Sequence, residues 1–528
     1  MITATGARRG GLSVPPVPRG GSTTAPQAGH ATVPPAGHTT VPPTGTPCPA
    51  DRPPLPRRPA ARCPAGHRSG PVYRTGPVGM LAAMPDSAPS PLSAGGTSSR
   101  DGGDACPGTL RLHRADDGAL ARVRIPGGVL SADRADALLA VAGRFGDGEL
   151  HLTSRGNVQL RGLDAECGGG PAELLGAAGL LPSAAHERAR NIVASPLAGL
   201  DGSPSVGGWL SELDSLVCGS ATAAALSGRF LFALDSGRGD VDALGADVTL
   251  IAEDGDCLVR VGAADEVFRL PSADGPRAAL LAAELFLRAA RDSGAWRVKD
   301  LPDDVRTALV RAVGATAGPV AHRPRPRTAK APAPGPVTAP DNSTPATTTT
   351  TVTAISVGVP LGRLAPAQWR LLTETARRYG NELRLTPWRG IVIPGPFEPP
   401  GSSTRSGRSG QPGRAAEALD ALAAAGLITG PDSPWTGVGA CIGHPGCAKS
   451  LSDVRAEAGA AVGPVGRLPV YWSGCERRCG HPHGEWIDVV VTPEGHRISH
   501  VRGEHRDPRT VVRNDPAALA SAVSGARA

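Results

Sequence analysis

The sequence lacks any run of apolar residues long enough to cross a bilayer, which takes about 18 or more. Its N-terminus also lacks the charged-then-apolar pattern of a secretion signal. These two absences predict a cytoplasmic protein without a membrane span. Residues 1–100 contain ten arginines and two aspartates, whereas the whole chain has a net charge of +7. The rest of the chain is therefore close to neutral. We therefore expect no nucleic-acid surface.

Residues 1–104 lack apolar periodicity and consist mainly of Pro, Gly, Ser, Thr and Ala. Such a segment buries too little apolar surface to offset the loss of chain entropy on folding, so we predict a disordered tail. Met80 and Met84 are the only methionines after Met1. The three methionines are therefore alternative translation starts, and the first 80 residues read as a possible gene-model extension.

The foldable sequence contains a repeat. Residues 105–165 predict two strands in a hairpin, a helix that begins at the N-cap Ser131 and ends at Phe145, and a strand over 149–160. Residues 353–397 repeat this order, with a helix over about 366–379 and a strand over 382–393. Each copy continues into an Ala/Leu-rich helix that ends in Ala-Gly-Leu. A repeat of this length indicates a duplicated α+β unit.

Other segments predict the remaining organisation. Short strands and a helix over about 276–293 predict an antiparallel sheet with helical cover within residues 166–319. The cysteine-bearing part should contain a hairpin about Pro493-Glu494. The further boundaries that we predict are a Pro/Thr-rich linker over 320–352, a polar loop over 398–413, a cluster domain over 414–510 and a C-terminal tail over 511–528.

Four cysteines form two close pairs, Cys441 with Cys447 and Cys475 with Cys479. Clustered thiols in a chain without an export signal indicate a metal centre rather than disulfides. Zinc sites typically separate each close pair by two residues, whereas here five and three intervene. Four thiolates suit a 4Fe–4S cluster, with zinc and structural thiols as the alternatives. Three nearby histidines are candidate iron ligands or ordinary hydrogen-bonding side chains: His444, His481 and His483.

Several polar residues recur at positions that suit an anionic ligand. Arg122 and Arg124 are two apart on one predicted strand and therefore share a face, and the same spacing relates Thr153, Arg155 and Asn157. If arginines converge on one cleft, they suit a ligand with several carboxylates, because arginine makes bidentate, permanently charged contacts. Solvated strand faces are the alternative. The candidates are Arg122, Arg124, Thr153, Arg155, Asn157, Arg190, Asn191 and Arg229.

These motifs together resemble the sirohaem-dependent nitrite and sulfite reductase family over about residues 105–500. The resemblance rests on the duplicated half-domain, Thr153–Asn157, Arg190-Asn191 followed by Ser195-Pro196, and the two cysteine pairs. It implies an α+β fold in which two ferredoxin-like half-domains form a pseudo-twofold pair beside 4Fe–4S-type α/β domains. It also implies a 4Fe–4S cluster next to a tetrapyrrole, with Cys479 as the bridging ligand.

Within this family, the chain most resembles the precorrin-3B synthase branch. The matching stretches are Arg122–Gly128, Gly228–Asp235 and Gly439–Ser450. The reductases resemble one another in a Lys-x-Lys pair that helps to hold a small anion, and the corresponding stretch here is Arg229-Phe230-Leu231. One cation is thus replaced by an apolar side chain, which suits a small dianion less well.

The resemblance to this branch implies a monooxygenase of aerobic cobalamin biosynthesis. It would hydroxylate precorrin-3A with O2 and form a lactone, using electrons from the cluster and a mononuclear iron to activate O2. No G-x-G-x-x-G fingerprint occurs in a strand-to-helix setting, so we expect an external donor, an NADH-linked reductase or a ferredoxin. The alternatives are a sirohaem-dependent sulfite or nitrite reductase and a non-enzymatic tetrapyrrole carrier.

Overall fold

The computed structural model describes residues 104, 106–165, 169–316, 320–322, 330–341, 349–397, 413–482, 484–503, 505–507, 510–513 and 515–528. The predicted N-terminal tail and the polar loop over 398–413 lie outside this part of the chain, apart from their last residues. No helix in these ranges is long and apolar enough to span a bilayer.

The first half-domain has the predicted order of elements. It comprises β1 (His113–Ala115), β2 (Gly118–Val123), β3 (Val129–Ser131), α1 (Ala132–Phe145), β4 (Leu150–Leu152), β5 (Val158–Leu163) and α2 (Gly169–Ala177). The predicted N-cap is confirmed, because the Ser131 hydroxyl accepts a hydrogen bond from the Arg134 backbone N–H. The single strand predicted over 149–160 is wrong. The chain turns back at residues 153–157, where the Thr153 N–H donates to the Asn157 carbonyl and Gly156 adopts a φ of 65°.

The first α/β domain contains β6 (Ile192–Ala194), α3 (Gly207–Gly219), β7 (Phe232–Asp235), β8 (Val248–Glu253), β9 (Asp256–Val261), β10 (Glu266–Pro271), α4 (Gly275–Ala289), α5 (Asp303–Gly314) and β11 (Val320–His322). The sheet order is β11-β10-β9-β8-β7-β6. The antiparallel sheet that we predicted is instead mixed, because β6, β7 and β8 run parallel. The long connection through α3 makes the parallel crossover between β6 and β7 possible.

The second half-domain repeats the first with β12 (Gly335–Asp341), β13 (Thr349–Gly358), β14 (Arg363–Leu364), α6 (Pro366–Tyr379), β15 (Glu382–Leu385), β16 (Gly390–Pro394) and α7 (Arg414–Ala424). The helix predicted over 366–379 is confirmed. The strand predicted over 382–393 is a hairpin, as in the first copy. The linker predicted over 320–352 is wrong in part, because β12 pairs with the β-branched, Thr-rich β13 and gives both segments a place in a sheet.

The cysteine-bearing domain contains β17 (Val438–Ala440), α8 (Val454–Ala460), β18 (Val470–Ser473), β19 (Glu485–Thr492), β20 (Gly495–Arg502), β21 (His505–Arg506), β22 (Thr510–Val512) and α9 (Pro516–Arg527). The hairpin predicted about Pro493-Glu494 is confirmed by the antiparallel pairing of β19 with β20. The predicted C-terminal tail is wrong. Helix α9 buries Leu519 and Val523 in the core of this domain, and its Arg527 caps the Leu468 carbonyl.

The two half-domains exchange strands. β14 of the second copy pairs with β4 of the first, and β3 of the first pairs with β15 of the second. The indole N–H of Trp369 on α6 donates to the Ala135 carbonyl on α1, across 2.8 Å. One apolar core therefore fills both copies. This reciprocal exchange is the connectivity that a pseudo-twofold pair requires, and the predicted α+β class is confirmed.

Candidate functional site: an arginine face beside four thiols

The outer face of the first half-domain's sheet carries a row of polar side chains across four strands. Arg122 lies opposite Gln159, Gln159 opposite His151, and His151 opposite Arg363. Side chains alternate along a strand, and the neighbours of these residues point into the apolar core. The four polar side chains therefore share the face that is turned away from the core.

At one end of this face, the buried Arg124 and the half-buried Arg122 lie without a counter-ion. Arg124 is only 4% exposed, and its Nε and Nη1 atoms have no hydrogen-bond partner among the described residues. The Arg122 Nε atom also lacks a hydrogen-bond partner among the described residues, although the Arg122 Nη2 donates to the Gln159 amide oxygen across 3.4 Å. Burial lowers the pKa of Arg124 to about 9, and the neighbouring Arg122 acts in the same direction. A buried charge without a partner is costly, so this arrangement fits an anionic ligand.

The carbonyl oxygen of Gly228 gathers several of the predicted residues. It accepts from the guanidinium groups of Arg124 and Arg155, both at 3.3 Å, and from the Asn191 amide at 3.4 Å. Burial lowers the pKa of Arg155 to about 10. The structure thus brings Arg155 next to Arg124, because the hairpin loop between β4 and β5 folds towards Gly228, which precedes β7.

Thr153 and Asn157 shape that hairpin loop. The Thr153 hydroxyl accepts from the backbone N–H groups of Arg155 and Asn157, at 3.4 and 3.1 Å. The Asn157 side chain accepts from the Ile125 N–H at 2.9 Å and donates to the Asn191 amide oxygen at 3.2 Å. These residues position the arginines, and their own polar groups are already engaged within the protein.

Two predicted residues lie apart from this cluster. Arg190 forms a bidentate ion pair with Asp214, at 2.7 and 2.8 Å, and also donates to the Leu180 carbonyl. Its charge is therefore matched within the protein rather than offered to a ligand. Arg229 is exposed and lies over the Trp296 ring at 5.5 Å. The sequence could not distinguish these two environments from that of Arg124.

All four predicted cluster ligands lie in loops at the same end of the cysteine-bearing sheet. Cys441 and Cys447 follow β17, and Cys475 and Cys479 lie between β18 and β19; all four are free thiols. The Gly474 N–H donates to the Cys441 sulfur at 3.3 Å. Burial raises the pKa of Cys441, and the thiolates of Cys475 and Cys479 act in the same direction.

The donor set fits a 4Fe–4S cluster better than a single ion. Among the described residues, the groups of three or more metal-ligating atoms within 4.8 Å of one another include none of these four sulfurs. Four thiolates on a single tetrahedral zinc ion would lie closer together than that. In a 4Fe–4S cluster each thiolate binds a different iron, so the sulfurs are spaced more widely. Cys441, Cys447, Cys475 and Cys479 therefore fit the group that their spacing predicted.

Both half-domains hold the thiol loops. Arg161 on β5 pairs with Asp117 and donates to the Gly446 carbonyl at 2.8 Å, beside Cys447. From the second half-domain, Arg389 donates to the Gly480 carbonyl at 3.1 Å, beside Cys479. The Tyr471 hydroxyl donates to the carbonyl of Cys479 itself at 2.6 Å. The Cys447 loop is thus bonded to the sheet that carries the arginines, and the Cys479 loop to the second half-domain and to β18.

Arg455 on α8 connects the polar face to the thiols. Its Nε donates to the Cys441 carbonyl at 3.2 Å, and its Nη1 lies 3.3 Å from Nδ1 of His151. Burial lowers the pKa of His151, although the Asp147 carboxylate acts in the opposite direction. Arg122, Gln159 and His151 therefore lie opposite one another on neighbouring strands, and Arg455 connects His151 to the loop that carries Cys441.

The candidate histidines have different surroundings. His444 lines a cavity that His151 also lines. His481 stacks on the Trp486 ring at 5.3 Å and contacts the Pro482 carbonyl at 2.8 Å. His483 lies outside the described residues. The sequence analysis missed Arg161 and Gln159, whose alternation with the buried Val158 and Leu160 on β5 is the signal that could have found them.

Residues 112–166 and 346–396 each match the nitrite/sulfite reductase ferredoxin-like half domain. The two matches coincide with the two copies of the repeat, so both copies are similar to this half domain.

Proteins similar to this chain include two enzymes with different names. A precorrin-3B synthase from Sinorhizobium sp. is 26% identical over 409 residues, which cover 75% of this chain and 82% of that protein. A ferredoxin–nitrite reductase from Synechococcus elongatus is 42% identical over 84 residues, 16% of each chain. The structure of Mycobacterium tuberculosis NirA superimposes with a TM-score of 0.57 at 19% identity, over 76% of this chain and 79% of that one. This structural likeness shows the shared fold.

Proposed function

We propose that the protein is a monooxygenase of the precorrin-3B synthase type. It would hydroxylate precorrin-3A with O2 and form a lactone, as a step of aerobic cobalamin biosynthesis. The observation that carries the proposal is the pair Arg122 and Arg124, whose buried guanidinium atoms lack partners on a face that continues to the thiol loops. The sequence similarity to a precorrin-3B synthase, at 26% identity, supports the choice of a tetrapyrrole as substrate.

The arginines would bind the carboxylate rim of the macrocycle. Arg122, Arg124 and Arg155 offer guanidinium groups that lack carboxylate partners within 4.0 Å among the described residues. A tetrapyrrole with acetate and propionate arms would supply those partners and relieve the cost of the buried charges. Thr153, Asn157 and Asn191 would hold the arginines in place through their contacts with the loop and with the Gly228 carbonyl.

The start of β7 supports a large substrate over a small dianion. Arg229 is exposed, whereas Leu231 is buried with Val193, Ala233 and Ala246. The position where the reductases carry a second lysine therefore holds an apolar side chain here. A small doubly charged oxyanion would meet one cation at this place instead of two, which weakens the case for sulfite as substrate.

The four cysteines would hold the 4Fe–4S cluster, which supplies single electrons when it is bound. Arg455 would fix the Cys441 loop by donating to the Cys441 carbonyl, and Tyr471 would do the same for Cys479. The proposal includes a mononuclear iron for O2 and an external donor, either an NADH-linked reductase or a ferredoxin. Incorporation of one oxygen atom consumes two electrons and two protons, and the second oxygen atom leaves as water.

A sirohaem-dependent nitrite or sulfite reductase is the second candidate. The local match to a ferredoxin–nitrite reductase favours it, because that segment is more similar than the chain is to the precorrin-3B synthase. In this case the arginine face would hold sirohaem permanently as a cofactor. The two candidates therefore differ in whether the tetrapyrrole leaves the protein after each turnover.

The test is anaerobic incubation of the cluster-loaded protein with precorrin-3A, followed by isotopically labelled O2 and an electron source. We expect a product that carries one labelled oxygen atom, detected by mass spectrometry, and no product with Cys479→Ser. A protein that is purified with tightly bound sirohaem, reduces sulfite or nitrite and leaves precorrin-3A unchanged would overturn the proposal in favour of the second candidate.

A further inference from the structure

We propose that a cavity on the second half-domain is a separate binding site for a planar aromatic ring with at most one negative charge. The cavity has a volume of about 370 Å³ and lies between β13, the loop from β15 to β16 and the cysteine-bearing domain. Small-molecule sites typically have volumes of about 300–1,000 Å³. We call it the aromatic cavity, because Trp388, Trp435 and Tyr471 line it. The proposed function assigns no ligand to this cavity.

The loop between β15 and β16 repeats the backbone of the loop between β4 and β5. In both loops a threonine N–H donates to the carbonyl four residues later at 2.9 Å, and the third residue after the threonine has a positive φ. The two threonines, Thr153 and Thr386, are therefore equivalent positions. Two residues after them, the first copy has Arg155 and the second has Trp388. An indole thus replaces one cation of the arginine cluster.

The turns that follow β2 and β13 show the same equivalence. In each turn a glycine N–H donates to the carbonyl three residues earlier, at 2.8 Å for Gly128 and 3.0 Å for Gly362. Counting back four and six residues from these glycines gives the paired positions on the two strands. The second copy replaces both arginines: Arg124 by Gly358 and Arg122 by Ser356.

These replacements change the class of ligand that the scaffold can hold. Ser356, Gly358 and Trp388 all line the aromatic cavity, and Trp388 also packs against the apolar cluster that contains Leu231. Tyr471, which is buried, lines the cavity as well. A molecule with several carboxylates would find no matching set of cations here. A planar aromatic ring would instead bury apolar surface and stack on the aromatic side chains.

Arg389 sets the limit of one negative charge. Among the described residues that line the aromatic cavity, Arg389 is the one with a permanent charge. Its Nη2 donates to the Gly480 carbonyl at 3.1 Å, and its guanidinium carbon lies 5.8 Å from the centre of the Tyr471 ring. The guanidinium group is therefore held at the edge of an aromatic side chain, where a single anionic substituent would pair with it.

An independent observation also points to a ligand. Thr436 lines the aromatic cavity, and its buried Oγ1 atom has no hydrogen-bond partner among the described residues. A buried polar atom without a partner is rare, because it loses its contact with water and gains nothing in return. A polar atom at the edge of a bound ring would supply the missing partner. The ligand class is therefore a planar heteroaromatic ring with one polar edge.

The test uses riboflavin as the probe, because its ring system is planar, uncharged and polar along one edge. The full-length, cluster-loaded protein is dialysed to equilibrium against riboflavin, and we expect one bound molecule per chain. Trp388→Leu, and Trp388→Arg with the residue of the first copy, should each weaken binding by about tenfold or more, since both remove a stacking surface. Thr436→Val should weaken binding by about threefold to tenfold, because it removes one hydrogen bond.

Two controls locate the site. Trp209→Leu removes an indole on α3 whose N–H donates to the Ser272 carbonyl at 2.8 Å, and it should leave riboflavin binding unchanged. The double variant Arg122→Met/Arg124→Met should also leave it unchanged, which separates the aromatic cavity from the arginine face. Neither precorrin-3A nor O2 is present, so the outcome does not depend on the proposed reaction.

Circular dichroism checks that each variant is folded, and Thr436→Val gives the answer if neither variant of Trp388 folds. Absence of riboflavin binding to the wild type would overturn the inference. Wild-type affinity in a folded variant of Trp388 or of Thr436 would also overturn it, as would loss of binding in the double arginine variant.

Discussion

In the two α/β domains, the residues that follow β6 and β17 have the same backbone arrangement but different side chains. The Ser195 N–H donates to the Leu234 carbonyl, and the Cys441 N–H donates to the Trp472 carbonyl, each at 2.9 Å. The hydroxyl of Ser195 accepts from the Ser236 N–H at 3.0 Å, just as the sulfur of Cys441 accepts from the Gly474 N–H at 3.3 Å. Ser195 and Cys441 are therefore equivalent positions of a duplicated scaffold.

The next equivalent pair shows how the two copies diverge. Asp235 accepts from the backbone N–H groups of Gly237, Gly239 and Asp242, so the first loop closes around a carboxylate. In the second copy Ser473 occupies this position, and its buried hydroxyl has no partner among the described residues. The first loop is thus closed by its own carboxylate, whereas the second carries free thiols and a buried hydroxyl without a partner in the described part of the chain.

The largest effect is expected for Cys441→Ser, which places the first copy's residue in the second. The serine at position 195 shows that this backbone accepts a hydroxyl, so the fold should survive. The variant should nevertheless lose the cluster, because serine is a poor ligand for it. Acid-labile sulfide should fall to background and iron should fall by about four atoms per chain while circular dichroism stays unchanged, and Cys218→Ser is the matched control. Retention of the full iron content would contradict the assigned ligand set.

The second test removes the Asp235 carboxylate, around which the loop of the first copy closes. Asp235→Ala should remove the acceptor of the buried Gly239 and Asp242 N–H groups and lower the free energy of unfolding by about 2 kcal/mol or more. Ser473→Ala, at the equivalent position, removes a hydroxyl without a partner and should change it by less than about 1 kcal/mol. Urea denaturation measures both. Equal losses would show that the two loops are not organised differently.

A third test separates structural from ligand-binding arginines. Arg190→Met breaks a buried ion pair with Asp214 and should destabilise the protein by about 3–5 kcal/mol. Arg124→Met removes a buried charge without a counter-ion and should stabilise it by about 1–3 kcal/mol. The opposite signs, read from urea denaturation, are the expected result. Destabilisation by Arg124→Met would mean that its charge is matched within the protein.

A smaller effect is expected from pH. Because burial lowers the pKa of Arg124 to about 9, the unliganded protein loses this positive charge as the pH rises through that value. An anionic tetrapyrrole favours the charged form, so its affinity should be highest below about pH 9 and should decline above it. Titrations between neutral pH and pH 10 measure the slope. In Arg124→Met the decline should be reduced, and an unaltered slope would exclude Arg124 as its source.

Local patterns were sufficient for much of the fold. The helix over 366–379 and the Ser131 cap followed from periodicity and from a capping residue, which depend on a few neighbouring positions. The hairpins at 153–157 and 386–390 were missed, because alternating strand residues continue across both turns. The strands within 335–358 were missed because Pro- and Thr-rich segments take up sheet structure only when partner strands are present.

The site was predictable where one stretch of chain carries the chemistry. The spacing of the four cysteines predicted a cluster site without knowledge of the fold, and the cluster stays a prediction. Arg161 and Arg455 were missed, since the groups they contact are 285 and 304 residues away. The pairing of Arg190 with Asp214 depends equally on tertiary structure, so its charge was read as available to a ligand. Sequence patterns identify functional groups, but their partners are set by packing.

The central claim is that one half of the molecule binds the tetrapyrrole while the other holds the cluster. It is tested most directly by anaerobic titration of Cys441→Ser and of the double variant Arg122→Met/Arg124→Met with precorrin-3A, alongside their iron content. We predict that Cys441→Ser binds the tetrapyrrole with nearly wild-type affinity but lacks the iron and sulfide of the cluster. The double arginine variant should keep its iron and bind about tenfold more weakly or worse. Loss of tetrapyrrole binding in Cys441→Ser, together with wild-type affinity in the double arginine variant, would contradict this division.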